Sequence, residues 1–331
     1  MAKQVDSPPT VTVAICTRDR CDRLARCLSS IVGVTMPEGF PASHLSILVV
    51  DNAPSDGQTR ALVSQYGGVM YVCESKPGLD FARNRALKVA PGAIIAYIDD
   101  DVTVDPGWLR GLLDACRACP GAAAFTGQVL PYQVETEAQV LFERRGGFRK
   151  GSSRAVLAED KPSGSLSPAA VVSFGVGANM AFVKEALERI GGFDEALDTG
   201  PPLPGGGDLD IFYRIVHAGY ALVYEPSFLV YHEHRREMSA LRRQYYGWGL
   251  SFMAYARKTC QIDSAEKKKL KGTVWWWLKY QSVCLFRGLL GRREYRPDLV
   301  LTELAGGAIG FFGEYERSVQ RVEKIRESFP S

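Results

Sequence analysis

The 331-residue chain has no run of about 18 or more uncharged apolar residues and no charged segment leading into a long apolar stretch at its N-terminus, so neither a bilayer-spanning helix nor a secretory leader is expected. It therefore reads as cytoplasmic. Internal repeats and low-complexity tracts are also missing, which excludes solenoid and disordered classes. The eight cysteines are scattered through a chain too long to need covalent staples, so free thiols are expected instead of a disulfide framework. Cys116 and Cys119 have C-x-x-C spacing, but no second pair or closely following histidines complete a zinc site, which leaves helix packing as their role. The segment "HEHR" at His232 lacks the H-E-x-x-H spacing of zinc proteases.

With 46% hydrophobic and 23% charged residues, the composition suits a globular protein large enough for one big α/β unit with an appendage. Net charge is +3, but Arg257–Arg296 carries eleven Lys/Arg against three Asp/Glu, a local +8 that leaves −5 for the rest. The basic character is confined to that segment.

Short β-rich runs alternate with amphipathic helical runs over the first 110 residues. "VTVAIC", "HLSILVVD", "VMYVC" and "AIIAYID" read as strands, while "CDRLARCLSSIV", "GQTRALVSQY" and "LDFARNRALKVA" read as helices. This βαβαβ order predicts a mostly parallel sheet covered on both faces, with ligands beyond the carboxyl ends of its strands. A helix from about Pro106, a strand near "AAAFTGQV", a polar loop from about Arg144 to Pro168, and a strand and helix within "VVSFGVGANMAFVKEALERIGGFDE" are expected next. A helix from Asp208 to about His217 and two short strands broken at Pro226 follow, with mostly helical sequence from Ser239.

Two strand ends carry acids: "ILVVD" stops at Asp51, and "IIAYIDDD" stops at Asp99, Asp100 and Asp101. Three adjacent carboxylates need a counter-charge, and Mg²⁺ or Mn²⁺ shared with substrate phosphates would supply one; a solvated acidic turn is the alternative. Downstream, "PPLPGGGDLDIFYRI" crowds glycines before two acids and a helix. It could be a phosphate cradle or a mount for an acid.

At this point the chain resembles the nucleotide-sugar-dependent glycosyltransferases of family 2. Six matches occur in order between about residues 10 and 235: "VTVAICTRDR", "ILVVDNAPSDGQT", "GLDFARNRAL", "AYIDDDVTVDPGWL", the pair "GANMAF" and "IGGFDE", and "GGGDLDIFYRIVHAGYALVYEPSFLVYHEH". The resemblance implies a Rossmann-like α/β fold of the A type, a catalytic domain over 10–235 with halves at 10–110 and 111–235, and a helical extension over 236–331. It also implies inverting transfer from a nucleoside diphosphate sugar to a hydroxyl of a glycan, lipid carrier or small molecule, with Mn²⁺ or Mg²⁺. By position, Thr17 and Asp51 would meet the nucleobase and Arg83 the base or diphosphate. Asp99, Asp100 and Asn179 would line the donor site, and Asp99, Asp101 and His232 would hold the cation. Asp208 would be the general base and Asp210 a supporting acid. One departure stands out: Gly207 occupies the place of the glutamate in the family's usual Glu-Asp pair.

Structural roles compete at each position. Thr17 would serve as a strand-end cap, Arg83 as a surface helix residue, His232 as a hydrogen-bonded core residue and Asp208 as a helix N-cap. A nucleotidyltransferase or a non-catalytic nucleotide-sugar-binding scaffold are the rival functions, although the turn after the first strand lacks the glycines of a nucleotidyltransferase phosphate loop. The tail "EKKKLKGTVWWWLKYQSVCLFRGLLGRREYR" carries apolar residues around most of a helix, so it either packs on the catalytic domain or a homodimer partner or lies on the inner face of a membrane. Its cations flank the aromatics instead of forming a patterned face, which argues against nucleic acid.

Overall fold

The computed structural model describes residues 8–158, 171, 174–262 and 267–329. Strands β1 (Val11–Thr17), β2 (Leu45–Asn52), β3 (Val69–Glu74) and β4 (Ile94–Asp99) alternate with helices α1 (Cys21–Val32), α2 (Gln58–Val63) and α3 (Leu79–Val89), as the periodicity predicts. They pair in parallel in the order β3-β2-β1-β4. Alternate side chains of these strands feed two separate cores. Val13 and Ile15 pack with Leu24, Leu28 and Ile31 of α1 on one face, and Ala14 and Leu48 with Ala82 and Ala86 of α3 on the other.

The second half departs from a parallel sheet. It contains β5 (Val102–Val104), α4 (Trp108–Ala118), β6 (Ala122–Pro131), α5 (Glu137–Arg144), β7 (Ala155–Leu157), β8 (Asn179–Val183) and α6 (Lys184–Arg189). A small hairpin of β9 (Asp198–Gly200) and β10 (Leu203–Pro204) precedes α7 (Gly207–His217) and β11 (Ala221–His232). Strand β8 inserts antiparallel between β4 and β6, and β11 pairs in parallel with β6 but antiparallel with β5 and β7, so the sheet is mixed on this side.

Three local expectations need correction. The two strands expected around Pro226 are one strand whose register shifts between Glu225 and Leu229, because proline cannot donate to the ladder and is accommodated in a bulge. Part of the expected polar loop forms the edge strand β7, while residues 159–168 of that loop and 172 and 173 of the following expected strand lie outside the described residues. Helix α5 was not foreseen, although Thr136 and Gln139 form a reciprocal capping box that "TEAQ" encodes. Cys116 packs partly buried against the core near the end of α4, consistent with a packing role.

The C-terminal region is helical: α8 (Met238–Ile262), α9 (Lys267–Leu289), α10 (Pro297–Ile309) and α11 (Tyr315–Ser328). Helices α8 and α10 cross so closely that a side chain at Gly249 would collide with the Glu303 carbonyl, and one at Gly306 with that of Tyr246. The tail is tied to the sheet domain by Lys258, a buried lysine whose Nζ lies 2.5 Å from Asp210 Oδ1 and 2.7 Å from Asp194 Oδ2. Among the described residues, no helix is long and apolar enough to cross a membrane.

Candidate active site

The register of the parallel strands aligns their acidic ends: Thr17 pairs with Asp51 across β1 and β2, and Cys16 with Asp99 across β1 and β4. Residues far apart in sequence thus meet at one sheet edge, beyond which α/β sheets bind ligands. Asp51 is fully buried; its Oδ2 accepts a 2.8 Å hydrogen bond from Tyr71, while no donor reaches its Oδ1 among the described residues. Burial pushes its pKa up, against the pull of the Tyr71 and Thr59 hydroxyls. A buried acceptor without a donor is costly, and a ligand N–H would relieve it.

Thr17 donates to Asp100 Oδ2 at 2.7 Å and Arg20 Nη1 to Asp100 Oδ1 at 3.1 Å, so Asp100 clamps the ends of β1 and β4 together. Arg83 is buried, which overturns its reading as a surface helix residue. Its guanidinium lies 2.9 Å from Asp80 Oδ1, 3.7 Å from Asp198 Oδ2 and 3.9 Å from Asp99 Oδ1, against the ring of Phe193. One cation thus serves three acids. Burial pushes Asp99 up to about 7, with repulsion from Asp101 adding and Arg83 opposing; burial likewise raises Asp80 to about 6 and Asp198 well above its usual range. The Asp99 side chain keeps 36% of its surface exposed, so it is the member of this group that a ligand can reach.

Asp101 sits in a different field. Burial pushes it up, but His232, Arg235, Arg20 and Arg23 outweigh that and hold its pKa below the usual value, with Arg23 Nη1 and Arg235 Nη1 each 3.5 Å from Oδ2. Its Oδ1 faces His232 Nε2 at 3.4 Å. Burial lowers His232 to about 4, so the ring is neutral at pH 7 and the arginines carry the compensation. The tautomer follows from the hydrogen-bond chain. His234 Nε2 lies 2.9 Å from the Glu143 carboxylate and His234 Nδ1 lies 2.9 Å from His232 Nδ1; in the arrangement with one proton on each ring, Nε2 donates to the carboxylate and His234 Nδ1 accepts from His232 Nδ1. His232 Nε2 is left as a bare lone pair opposite a carboxylate oxygen.

Two acceptors facing each other in this way fit a shared cation. Among the described residues no three His, Cys, Asp or Glu side chains are grouped so as to hold a metal ion by themselves. Mg²⁺-type sites usually take only one or two carboxylates and complete their shell with water and substrate phosphates.

Asp208 lies in the first turn of α7, with Oδ2 accepting from the Gly177 amide at 3.0 Å and Oδ1 from its neighbour Leu209 at 2.9 Å. Gly206, at φ 104°, makes the left-handed turn into this helix, which a residue with a side chain rarely adopts. Gly207 has a different reason: a Cβ there would lie 2.1 Å from Asp80 Oδ2. The glutamate expected at 207 is excluded because a fully buried carboxylate from α3 already fills its space. Asp80 was missed in the sequence, where it looks like an ordinary acid in the first turn of a helix. Arg23, Glu143 and Arg235 were also missed, although Arg235 closes the "HEHR" run that begins at His232.

Two expected site residues have their polar groups engaged by the surrounding scaffold. Asn179 is fully buried, its Oδ1 accepting from Trp108 Nε1 at 3.0 Å and its Nδ2 donating to the Phe228 carbonyl at 2.7 Å, so both amide ends are engaged. Asp210, two residues along α7 from Asp208, pairs with Arg214 and Lys258. Successive positions two apart point to different helix sides, so it faces the C-terminal helices.

An α/β sheet with an acid-lined carboxyl edge, a helix-mounted aspartate beside it and a helical extension is the A-type glycosyltransferase architecture. The same fold occurs in the mannosyltransferase PcManGT from Pyrobaculum calidifontis, solved in complex with GDP-Man and Mn²⁺, with a TM-score of 0.59 at 16% identity over 93% of this chain and 88% of that one. Residues 12–191 match the model of Glycosyl transferase family 2, and the chain belongs to that family. Among curated relatives, it is 28% identical to the pre-mycofactocin glycosyltransferase of Mycobacterium tuberculosis over 72% of this chain and 46% of that protein. It is also 28% identical to the succinoglycan biosynthesis protein ExoM of Rhizobium meliloti, over 65% of this chain and 64% of that protein. The match therefore spans less than two thirds of either relative.

Proposed function

We propose that the chain is an inverting, metal-dependent glycosyltransferase that moves a sugar from a nucleoside diphosphate sugar to an acceptor hydroxyl, with Asp208 as general base. The observation that carries this reading is the meeting of three distant elements: the acidic ends of β2 and β4 and the N-terminus of α7. Asp208 is close enough to Asp80, Asp99 and Asp198 to help raise their pKa values. The manganese and GDP-mannose bound by the structural neighbour fit this reading.

In the proposed reaction the unpaired Asp51 Oδ1 accepts a nucleobase N–H. A divalent cation held by Asp101 and His232, with Asp99 as the further ligand that the family resemblance implies, would supply Lewis-acid stabilisation of the leaving diphosphate. Arg23 and Arg235 flank the same carboxylate and add positive potential where phosphate charge develops. Asp208, oriented by two backbone amides, takes the acceptor hydroxyl proton as the oxygen bonds to the anomeric carbon. The bond to the diphosphate breaks on the opposite face, its electron pair leaving with the phosphate oxygen. One displacement inverts the anomeric centre.

Thermal-shift measurements with UDP, GDP and their sugar conjugates, with and without Mn²⁺, identify the donor, because a ligand bound to the native state raises apparent stability. Asp208→Asn is then expected to keep donor binding and lose turnover. Full turnover in that variant, or a product with retained anomeric configuration, would overturn the mechanism.

A further inference from the structure

Helix α9 has two unlike faces. Thr273, Trp277, Gln281 and Cys284 are buried, spaced three or four residues apart, with Trp277 against Phe252 of α8 and Gly307 of α10. This resolves the tail's inner side as protein packing. The opposite face is open, as is the turn that follows it: Trp275 is 70% exposed, Phe286 63%, Leu289 71% and, in the turn, Leu290 68%. Trp276 and Tyr280 stack on each other along its flank, half exposed. A groove of about 530 Å³ runs here between Val283, Phe286 and Leu290, edged by Lys279, Arg287 and Arg292.

Residues 267–293 contain eight Lys or Arg and no Asp or Glu. By helical spacing Lys268, Lys271, Trp275, Lys279, Ser282 and Phe286 fall along one outward row. Isolated exposed apolar side chains are unremarkable, but an aromatic and aliphatic strip whose charged neighbours are all cations from 267 to 293, with acids only beyond its ends at Glu266 and Glu294, is not. Charge selects the occupant. An isologous dimer through this face would bring two such cationic strips together, which is repulsive. An anionic bilayer supplies the opposite charge and an apolar layer for the tryptophans and leucines, and no described helix is built to cross that layer.

We infer that the outer face of α9 is a docking surface for anionic lipid membranes, with Trp275, Phe286, Leu289 and Leu290 entering the interface and the surrounding lysines and arginines contacting headgroup phosphates. This inference does not depend on the proposed transfer reaction. The test is co-sedimentation of the full chain with vesicles of phosphatidylcholine alone and with equimolar phosphatidylcholine and phosphatidylglycerol, alongside light scattering for oligomeric state. Binding is expected to the anionic vesicles only and to weaken with salt.

The triple variant Lys268→Gln/Lys271→Gln/Lys279→Gln should lose about 100-fold in partitioning, since each basic residue near an anionic surface is worth roughly fivefold. Trp275→Ser/Phe286→Ser/Leu289→Ser should lose vesicle binding while its thermal unfolding stays close to that of the parent, because all three side chains project outward. The inference is overturned if the parent ignores anionic vesicles, if it binds both vesicle types equally, or if it is a dimer that the apolar triple variant converts to monomer.

Discussion

Gly207→Ala is the most informative substitution, because its sign should be opposite to the usual one. In an open helical position with ordinary φ, replacing Gly by Ala stabilises by about 0.5–1 kcal/mol, since the unfolded chain loses freedom. At Gly207 the new methyl would lie 2.1 Å from Asp80 Oδ2 and 2.9 Å from both Cγ and Oδ1, so the whole carboxylate obstructs it. Asp80 cannot swing into solvent, being fully buried and bonded to Arg83 at 2.9 Å. Relief needs movement of α7 or rupture of that ion pair. Overpacking of this kind costs about 1–3 kcal/mol where α7 moves, and loss of a charged hydrogen bond about 1.5–3 kcal/mol where the ion pair breaks, so a net loss of about 1–3 kcal/mol is expected by either route. Urea denaturation of Gly207→Ala, Asp80→Ala and the double variant measures it. Asp80→Ala vacates the space, so Gly207→Ala should cost much less in that background, with a coupling energy of about 1–3 kcal/mol. Additive effects, or a stabilised Gly207→Ala, would refute the account of why glutamate is absent.

His234→Phe should fit among Phe142 and Phe148 but remove the acceptor for His232 Nδ1–H, lowering Mn²⁺ affinity about 10–100-fold by titration calorimetry; unchanged affinity would discard the tautomer argument. Asp80 keeps its proton to about pH 6 in the folded chain, whereas an unfolded aspartate loses it near 3.9. Between those values the folded state binds more protons, so this group's contribution to stability falls as pH rises. Asp80→Asn removes that dependence: its stability relative to the parent should improve between about pH 4 and 7 by on the order of 2 kcal/mol, and a flat difference would count against the buried carboxylate. Lys258→Met leaves Asp194 and Asp210 without their shared ammonium and should cost about 3–5 kcal/mol in urea denaturation; a loss below about 1 kcal/mol would show that the tail is not anchored there.

The parallel half of the sheet was legible because each of its elements announces itself locally, in β-branched runs that end on acids and helices with one apolar face. The ordered family motifs then assigned roles to Thr17, Asp51, Arg83 and the Asp99–Asp101 triplet. Non-local relations were not legible. Asn179 was grouped with the donor site through its neighbours in "GANMAF", yet its amide is consumed by Trp108 and Phe228, which only the insertion of β8 between β4 and β6 brings near. Asp80 and Gly207 are 127 positions apart, so no local pattern could relate the missing glutamate to the buried aspartate that excludes it. In the glycine-rich stretch, Gly206 turns the chain into α7, Gly207 gives way to Asp80, and Asp208 follows in the first turn of the helix.

The two ends of this site carry opposite electrostatic character, and the direction of that difference bears on the proposed chemistry. Around Arg83 one guanidinium faces Asp80, Asp99 and Asp198, and burial drives all three pKa values upward. Around Asp101, Arg20, Arg23 and Arg235 face Asp100 and Asp101, with Glu233 also beside Arg23; Asp101 is held below its usual pKa, while burial raises that of Asp100. In glycosyl transfer, positive charge grows at the anomeric carbon while negative charge grows on the departing phosphate. A leaving group on the arginine side and a sugar on the acid side would place both changes in favourable fields that are already oriented before reaction. Arg235→Gln, a partly exposed change, should therefore weaken nucleoside diphosphate binding more than binding of the corresponding nucleoside. Equal weakening of both in calorimetry would mean that Arg235 supports the fold of the strand end and takes no part in holding phosphate.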